Sequence, residues 1–305
     1  MTAPRFSIIT PCLNREATIA AAIRSVQAQG RADVEHIIVD GGSTDGTATV
    51  LAGFPHLTVL RGPDRNLYDA INKGLRVAHG EVIGLLNSDD LYAPGAFAAA
   101  EAALADPATE MVIGAAEFFA EQDGREVVQR VLRGPRAVGL TEANVIGNVT
   151  AMNAAFYRRT LLDRVGPFDT RFPLSADKDF WMRLVLAAPR HVVLPATVIR
   201  YRAHAGSLTF AAGDTRAKLA QHLHAVARTR LAELPAGTPA HAAYRRWHAW
   251  SAGYRALLGL RQGAAGDAWR TAADGFAQDA AWPARFLARL PRHWRDRKVR
   301  GGTPG

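Results

Sequence analysis

The sequence predicts an α/β protein with a mostly parallel central sheet flanked by helices, followed by an all-helical C-terminal extension. Short apolar runs rich in β-branched residues alternate with segments of helical periodicity through residues 1–210. This alternation is typical of successive βα units joined by right-handed crossovers. Beyond residue 210 the strand pattern stops and helical periodicity continues. We therefore predict two domains, residues 1–210 and 211–305.

The predicted elements lie between glycine-rich and proline-containing breaks. Strands are predicted at residues 6–10, 35–40, 57–60, 81–86, 110–119, 127–132 and 191–199. Helices are predicted at residues 17–29, 66–79, 158–165, from near Pro94 and from Ser175. The run at 81–86 is apolar, contains β-branched residues and is too short for a buried helix, so we expect a central strand covered on both faces.

The central strand ends abruptly at Asn87-Ser88-Asp89-Asp90. Ligands bind at the carboxyl ends of strands in open α/β sheets, so Asp89 and Asp90 are expected to project into a site. Paired carboxylates there suit Mg²⁺ or Mn²⁺ carrying substrate phosphates. The alternative is that one of these residues caps the helix beginning near Pro94.

A second polar turn, Asp40-Gly41-Gly42-Ser43-Thr44-Asp45-Gly46-Thr47, follows the strand at 35–40. Glycines allow close backbone approach to a ligand, and a carboxylate at a strand end can accept from a nucleobase N–H. The alternative is an ordinary αβ turn capped by Asp45 or Ser43. The sequence contains neither a G-x-G-x-x-G fingerprint nor a P-loop motif.

Four motifs occur together in register: Thr10-Pro11 with Asn14, the 40–47 turn, Asp69-Ala70-Ile71-Asn72-Lys73-Gly74, and Asn87-Ser88-Asp89-Asp90. In order and spacing they resemble the motifs of family 2 glycosyltransferases of the GT-A fold. The resemblance covers about residues 5–210. The segment 64–74 is similar to a bacterial subgroup that builds colanic acid, O-antigen and other surface polysaccharides.

The resemblance implies a binding site for a nucleotide-diphosphate sugar, with Asp40 at the base and Asp90 on a Mn²⁺ or Mg²⁺ ion. The donor-binding residues it implies are Thr10, Pro11, Asn14, Asp40, Gly42, Ser43, Asp69, Asn72, Lys73, Asn87, Asp89 and Arg202. A histidine in the family's Arg-x-His pattern aligns with His204, which becomes a second candidate metal ligand. Asn87 replaces the first carboxylate of the usual D-x-D signature.

The segment from Ser175 to Leu184 resembles the family's acidic catalytic element, in which the carboxylate at Asp177 acts as general base. The preceding acid of that element is Ala176 here. A base facing the acceptor hydroxyl is what an inverting displacement requires. The alternative is an acidic first turn stabilised by the helix dipole. Asp179 is expected to be structural.

We therefore expect an inverting, metal-dependent glycosyltransferase that uses a UDP-sugar foremost. Its acceptor would be a hydroxyl of a glycan or of a polyprenyl-diphosphate-linked oligosaccharide in bacterial surface-polysaccharide synthesis. Because Asn87 and Ala176 depart from the family pattern, a catalytically silent sugar-nucleotide-binding or membrane-scaffold protein is the alternative.

Charge is unevenly distributed along the chain. Residues 1–210 carry 21 Lys/Arg against 22 Asp/Glu, whereas residues 211–305 carry 16 against 6. Aromatic residues alternate with arginines from 282 to 300, which indicates an interfacial helix on an anionic membrane rather than a nucleic-acid-binding segment. A single cysteine, Cys12, and the lack of a long apolar run favour a cytoplasmic protein, peripheral on the inner face of the cell membrane.

The helical extension contains an apolar face formed by Tyr244, Trp247, Trp250, Tyr254, Leu257 and Leu258. A turn at 263–266 leads into a second helix with apolar positions at Trp269, Ala273 and Phe276. We expect Trp282, Phe286 and Trp294 to lie at headgroup depth. The competing interpretation is that these aromatics pack inside the helical hairpin.

Overall fold

A computed structural model describes residues 4–147, 152–203, 215–261, 263–284 and 286. The chain divides into two compact units, one comprising Met1–Asn144 and Val149–Phe210, the other Val145–Asn148 and Ala211–Gly305. That these units are separate functional domains stays a prediction.

The first unit is built around one nine-stranded sheet. Its strands are β1 (Phe6–Cys12), β2 (Val34–Asp40), β3 (Thr58–Arg61), β4 (Val82–Leu85), β5 (Leu91–Tyr92), β6 (Met111–Gln122), β7 (Arg125–Leu132), β8 (Ala155–Arg158) and β9 (His191–Arg202). The order is β3-β2-β1-β4-β8-β6-β9-β5, and β7 pairs with β6 outside this path.

Parallel pairing is confined to part of the sheet. Strands β3, β2, β1 and β4 are parallel neighbours, and β6 is parallel to β9. Strand β8 runs antiparallel to both β4 and β6, and β7 forms a hairpin with β6. The tight turn at Asp123-Gly124, both with positive φ, can only join antiparallel strands. The predicted α/β class is confirmed, but parallel pairing extends less far than we predicted.

Helices flank the sheet at positions close to those predicted. They are α1 (Ile19–Gln27), α2 (Thr47–Ala52), α3 (Leu67–Val77), α4 (Ala96–Leu104), α5 (Pro135–Val138), α6 (Glu142–Ile146), α7 (Arg159–Val165) and α8 (Ala176–Ala187). A 3₁₀ turn at Met152–Ala154 precedes β8. Apolar residues of α1 at helical spacing, including Ile19, Ile23 and Val26, are buried, as the periodicity predicts.

An aromatic cluster packs against the central strands of the sheet. Phe6 stacks on Phe97 at 5.1 Å between ring centroids, and Phe97 meets Phe156 edge-on at 5.4 Å. Tyr92 contacts both Phe97 and Phe156. Central strand β4 carries Gly84 here because an added Cβ would lie 2.6 Å from the Tyr92 hydroxyl. The cluster therefore fixes β4 against its neighbours, and with it the loop that follows.

The second unit contains α9 (Thr215–Glu233), α10 (Pro239–Arg261) and α11 (Ala265–Gln278). Tyr244, Trp247 and Trp250 of α10 are buried, as their spacing predicts. The predicted second helix is present as α11, where Trp269 is 75% exposed and Phe276 54% exposed. Within the described ranges, no helix has the length and apolar character needed to span a bilayer.

We expected Trp282 to lie at the membrane surface, but its side chain is buried. Its side chain is 7% exposed and packs in a cluster with Ala249, Ala252 and Phe286. Small residues make room for it, since a Cβ on Gly275 would lie 2.7 Å from its Nε1. For Trp282 the competing interpretation of packing inside the helical unit is correct. Trp294 lies outside the described residues.

Candidate active site

The acidic loop follows β4 at the carboxyl edge of the parallel strands. Helix α4 has Gly95 as its N-cap, with φ 76° and no side-chain hydrogen bond. The interpretation of Ser88, Asp89 or Asp90 as helix caps is therefore wrong. Asp90 is instead 3% exposed, directly beyond the end of the central strand.

Asp90 is held by one hydrogen bond to each carboxylate oxygen. The Asn87 amide donates to Oδ2 at 2.9 Å, and the Arg202 backbone N–H donates to Oδ1 at 3.0 Å. Each oxygen keeps a further lone pair for another ligand. Burial and, next, the charge of Asp89 raise the pKa of Asp90 to about 7. Uncompensated negative charge on a buried oxygen donor set is what a divalent cation would relieve, so these residues fit Mn²⁺ or Mg²⁺.

Arg202, the last residue of β9, organises this loop. Its Nε donates to the Asp89 carbonyl at 3.3 Å, and its guanidinium pairs with Glu121. Asn87, Asp89, Asp90 and Arg202 therefore lie together, as the motif order predicts. His204 lies outside the described residues.

The glycine-rich turn after β2 is tied to the loop after β1. Asp40 Oδ1 accepts from the Ser43 backbone N–H at 2.8 Å and from the Ser43 hydroxyl at 2.6 Å. Gly42 has φ 96°, a conformation that disfavours any side chain. Asn14, itself at φ 53°, accepts from the Thr44 N–H at 2.8 Å. The Ser43 hydroxyl also accepts from the Asn14 N–H at 2.8 Å, so Asn14, Asp40 and Ser43 form one hydrogen-bonded unit in the turn that contains Gly42.

The capping alternative for this turn holds for Asp45 but not for Ser43. Asp45 Oδ1 accepts from the backbone N–H of Thr47 at 3.0 Å, at the first residue of α2. Ser43 instead donates its hydroxyl to Asp40. The turn therefore both starts a helix and orients the Asp40 carboxylate.

Asp40 lines a cavity of about 180 Å³ with Ala48, Leu51, Ala52, Val59 and Arg61. Its second oxygen, Oδ2, lies 3.3 Å from Arg61 Nε but has no hydrogen-bond partner in the described part of the chain. A buried carboxylate oxygen without a donor is costly unless a ligand supplies one. Sequence reasoning missed Arg61, although its place at the end of β3, in register with Asp40, was a usable signal.

Thr10 and Pro11 lie inside β1, because this strand continues to Cys12, two residues beyond its predicted end. The Thr10 side chain is fully buried and its Oγ1 lies 2.9 Å from His36 Nε2. This contact supports the strand pair β1–β2, and the donor contact of Thr10 and Pro11 stays a prediction.

Helix α3 supplies a charged group and a structural one. Lys73 pairs with Asp64, donates to the Pro63 carbonyl at 2.6 Å and lies 3.9 Å from Asp69 Oδ2. Asn72 faces inward, where its amide donates to the Phe168 carbonyl at 2.8 Å and accepts from the Phe168 N–H at 3.0 Å. Both ends of the Asn72 amide thus anchor the 168 loop, and the donor role of Asn72 stays a prediction.

Asp177 lies in the first turn of α8 with its side chain 20% exposed. The Tyr68 hydroxyl donates to its Oδ1 at 3.0 Å, and Lys178 Nζ lies 3.3 Å from its Oδ2. Neither partner was identified from the sequence. Ala176, where the resembling family carries an acid, is fully buried, so a carboxylate would be poorly accommodated there.

The neighbouring acid, Asp179, has a structural environment. It is fully buried and pairs with Arg183 Nε at 3.0 Å. The guanidinium of Arg183 also donates to the Pro167 carbonyl at 2.7 Å. Asp179 therefore connects α8 to the loop after α7 and leaves Asp177 as the partly accessible carboxylate of this turn.

The charges of both acidic centres act on the Tyr201 hydroxyl. Burial, then the charge of Asp90 and, further down, that of Asp177 raise the pKa of this hydroxyl well above its ordinary value.

A mixed sheet of this topology, with an acidic loop after its central strand, defines a GT-A nucleotide-sugar transferase. The family model for Glycosyl transferase family 2 matches residues 7–166. The chain belongs to this family and is a glycosyltransferase.

Curated relatives agree with this assignment. A PGL/p-HBAD biosynthesis glycosyltransferase of Mycobacterium bovis is 33% identical over 210 residues, covering 66% of this chain and 75% of the relative. An uncharacterized glycosyltransferase of Mycobacterium tuberculosis is 31% identical over 189 residues, covering 61% of this chain and 70% of the relative.

Solved structures share the fold. S. aureus TarS 1-349 in complex with UDP-GlcNAc has a TM-score of 0.62 at 19% identity, covering 97% of this chain and 92% of that one. The mannosyltransferase PcManGT from Pyrobaculum calidifontis, in complex with GDP-Man and Mn²⁺, has a TM-score of 0.57 at 22% identity, covering 94% and 88%.

Proposed function

We propose that the enzyme transfers a sugar, with inversion, from a UDP-sugar to a hydroxyl of a glycan or lipid-linked oligosaccharide. The observation that carries this proposal is a pair of oriented carboxylates: Asp90 accepts from Asn87 and from the Arg202 N–H, and Asp177 accepts from the Tyr68 hydroxyl. One carboxylate is then available at the diphosphate and the other at the acceptor. Such a transfer requires stabilisation of the charge on the leaving diphosphate and removal of the proton from the acceptor hydroxyl.

The environment of Asp40 supports a donor nucleotide with a ring N–H. Uracil, thymine and guanine each offer such a donor, whereas neutral adenine and cytosine do not. Oδ2 of Asp40 pairs with Arg61 at 3.3 Å but accepts no hydrogen bond in the described part of the chain, and it lies beside the cavity, so it fits that hydrogen bond. The neighbours solved with UDP-GlcNAc and with GDP-Man bind nucleotides of this class. We place a UDP-sugar first.

The donor diphosphate would be held at the loop containing Asp89 and Asp90, with Mn²⁺ or Mg²⁺ and with His204 as a further ligand. Once bound, the cation would offset the charge that develops on the leaving diphosphate. Asn87 and the Arg202 backbone orient the Asp90 carboxylate from the protein side. Lys73, which pairs with Asp64 and lies 3.9 Å from Asp69 Oδ2, is a further proposed donor contact.

Asp177 would accept the proton of the acceptor hydroxyl as its oxygen attacks the anomeric carbon. Tyr68 and Lys178 each occupy one carboxylate oxygen and so fix the orientation of the group. Each oxygen retains a lone pair for the incoming proton. Direct displacement with a single protein base gives inversion at the anomeric carbon.

A lipid-linked acceptor agrees with the biosynthetic name of the mycobacterial relatives. We propose that the enzyme works at the inner face of the cell membrane and that the basic residues beyond Phe286 attract it to anionic lipid. Residues 287–305 carry six Lys/Arg against one Asp. Basic residues near an anionic leaflet contribute about 1 kcal/mol each.

A catalytically silent sugar-nucleotide-binding protein is the second candidate. Asn87 and Ala176 stand where the family pattern carries acids, which is the observation that favours it. Such a protein would bind a donor nucleotide and turn over none of its sugars.

A panel of UDP-, dTDP-, GDP-, ADP- and CMP-sugars tests the proposal, with release of the nucleotide diphosphate or monophosphate as the readout. We expect turnover with a UDP-sugar and at least about tenfold weaker UDP binding in Asp40→Asn, the effect of losing one charged hydrogen bond. Asp123→Asn is the matched control, since this exposed turn residue has φ 51°. Productive use of an ADP- or CMP-sugar would contradict the assignment of Asp40, and binding without any turnover would favour the second candidate.

A further inference from the structure

Three metal-ligating side chains meet inside the helical unit, each from a different helix. They are His224 of α9, His248 of α10 and Asp274 of α11. The Asp274 Oδ2 lies 2.9 Å from His224 Nε2 and 3.2 Å from His248 Nε2. The two imidazole rings are 4.6 Å apart between centroids. These atoms converge on one point, and the glycosyltransferase chemistry uses none of them.

Hydrogen bonds orient the imidazole rings toward Asp274. The Ser251 hydroxyl lies 3.0 Å from His224 Nδ1 and 3.0 Å from the His248 carbonyl. It therefore holds the His224 ring with Nε2 toward the Asp274 carboxylate. In the metal-free chain the Nε2–H groups donate to this oxygen, and a bound cation would take the place of those protons.

The ligand atoms of the three residues all lie within 4.8 Å of one another. His224 and His248 are buried, and His248 Nδ1 has no hydrogen-bond partner within the described ranges. The two imidazole nitrogens and the carboxylate oxygen are therefore close enough to share one cation.

We propose that His224, His248 and Asp274 bind a first-row transition-metal cation, zinc foremost, that links α9, α10 and α11. Two imidazole nitrogens and one carboxylate oxygen suit Zn²⁺ and not Mg²⁺ or Ca²⁺, which prefer oxygen ligands. Zinc ligands at about 2.1 Å in tetrahedral geometry lie about 3.3 Å apart, so the observed 2.9 and 3.2 Å need only a slight opening.

The surroundings complete the site. Ser251 fixes the orientation of His224, as hydrogen-bond partners of zinc-bound histidines do. The Asp274 side chain is 29% exposed, which gives the ion access and leaves room for a water as fourth ligand. Binding would stabilise the helical unit, since the metal joins all three helices.

Titration of chelator-treated full-length protein with ZnCl₂, by calorimetry, tests the proposal in the absence of nucleotide. We expect the unmodified protein to bind one equivalent of Zn²⁺ and the Asp90→Asn variant to bind the same equivalent. The zinc-loaded protein should also have a higher melting temperature than the metal-free protein. His224→Gln and Asp274→Asn should each weaken zinc binding at least about tenfold. His222→Gln, a change two residues away on the same helix, should bind zinc like the unmodified chain.

Co²⁺ provides a second readout, because a nitrogen-containing tetrahedral site gives visible absorption that Asp274→Asn should abolish. Asp274→Asn preserves the shape of the side chain at a partly exposed position. If circular dichroism shows that His224→Gln is unfolded, zinc binding by Asp274→Asn therefore tests the proposal instead. Absence of zinc binding, loss of the equivalent in Asp90→Asn, or unchanged affinity in Asp274→Asn would each overturn the proposal.

Discussion

Replacing Asp177 by asparagine removes a charge from the start of α8 and almost nothing else. Asparagine has the same shape and keeps an oxygen that can accept from the Tyr68 hydroxyl, 3.0 Å away. The ion pair with Lys178 at 3.3 Å is lost. At this partly buried position the loss costs roughly 1–3 kcal/mol of unfolding free energy, between exposed and buried pairs. We expect the variant to fold.

The effect on catalysis should be larger than the effect on stability. A positioned general base contributes roughly 10²–10⁴-fold to the rate, which corresponds to about 2.7–5.4 kcal/mol of activation free energy. The donor site around Asp40 and Asp90 is built from other segments and is unchanged by the substitution. We therefore expect kcat to fall at least 100-fold while the donor dissociation constant changes only a few fold.

The assay compares sugar transfer by Asp177→Asn with donor binding measured by calorimetry on the same preparation. Tyr68→Phe is the matched variant, because it keeps the carboxylate and the ring stacked on Phe168 at 5.6 Å but removes one donor. It should reduce kcat by roughly tenfold, less than the loss of the base. Loss of donor binding in Asp177→Asn, or retention of a tenth of the turnover, would refute the assigned role.

Three further predictions concern the cation, the sheet and the C-terminus. Asp90→Asn should abolish transfer, and the unmodified enzyme should need Mn²⁺ or Mg²⁺; full activity in excess chelator would contradict this. Burial and, next, the charge of His56 lower the pKa of His36 from 6.5 to about 3. The folded state therefore favours the neutral imidazole, and this contribution to the unfolding free energy is complete above pH 6.5 and is lost as the pH falls toward 3. Denaturant unfolding between pH 7 and 4 should therefore be less steeply pH-dependent in His36→Gln, by up to about 1.4 kcal/mol per pH unit, and equal slopes would refute it. Deleting residues 287–305 should weaken salt-sensitive binding to anionic vesicles while transfer to a soluble acceptor is retained; unchanged vesicle binding would show that this segment is not the anchor.

The donor side of the site could be predicted from the sequence because its residues are local to strand ends. Asn14, Asp40, Gly42 and Ser43 lie in short loops at the carboxyl ends of parallel strands, and such loops meet at one edge of the sheet. The same rule placed Asn87, Asp89 and Asp90. Glycine and polar turn residues also mark these loops plainly in the sequence.

The sequence did not predict features that depend on side-chain direction or on packing between distant parts of the chain. Thr10 belongs to the core because β1 runs two residues beyond its predicted end. Asn72 faces inward and bonds Phe168, a contact across 96 residues that no local pattern reveals. Trp282 is buried because small residues, Ala249 and Gly275 among them, leave space for its ring.

The division of the sheet accounts for this difference in predictability. In the parallel half, β3-β2-β1-β4, each loop is short and local, so a motif and its position in space coincide. The other half is joined by antiparallel strand β8 and by β9, which returns from residue 191 to pair with β6 and with β5. Its contribution to the site, Arg202 on Asp90, depends on that distant pairing. Asp177 depends likewise on Tyr68, 109 residues earlier. The proposed catalytic base and the proposed cation site are thus positioned by long-range contacts. Substitutions at Tyr68 should affect turnover more than donor affinity, whereas substitutions in β9 that displace Asp90 should weaken both.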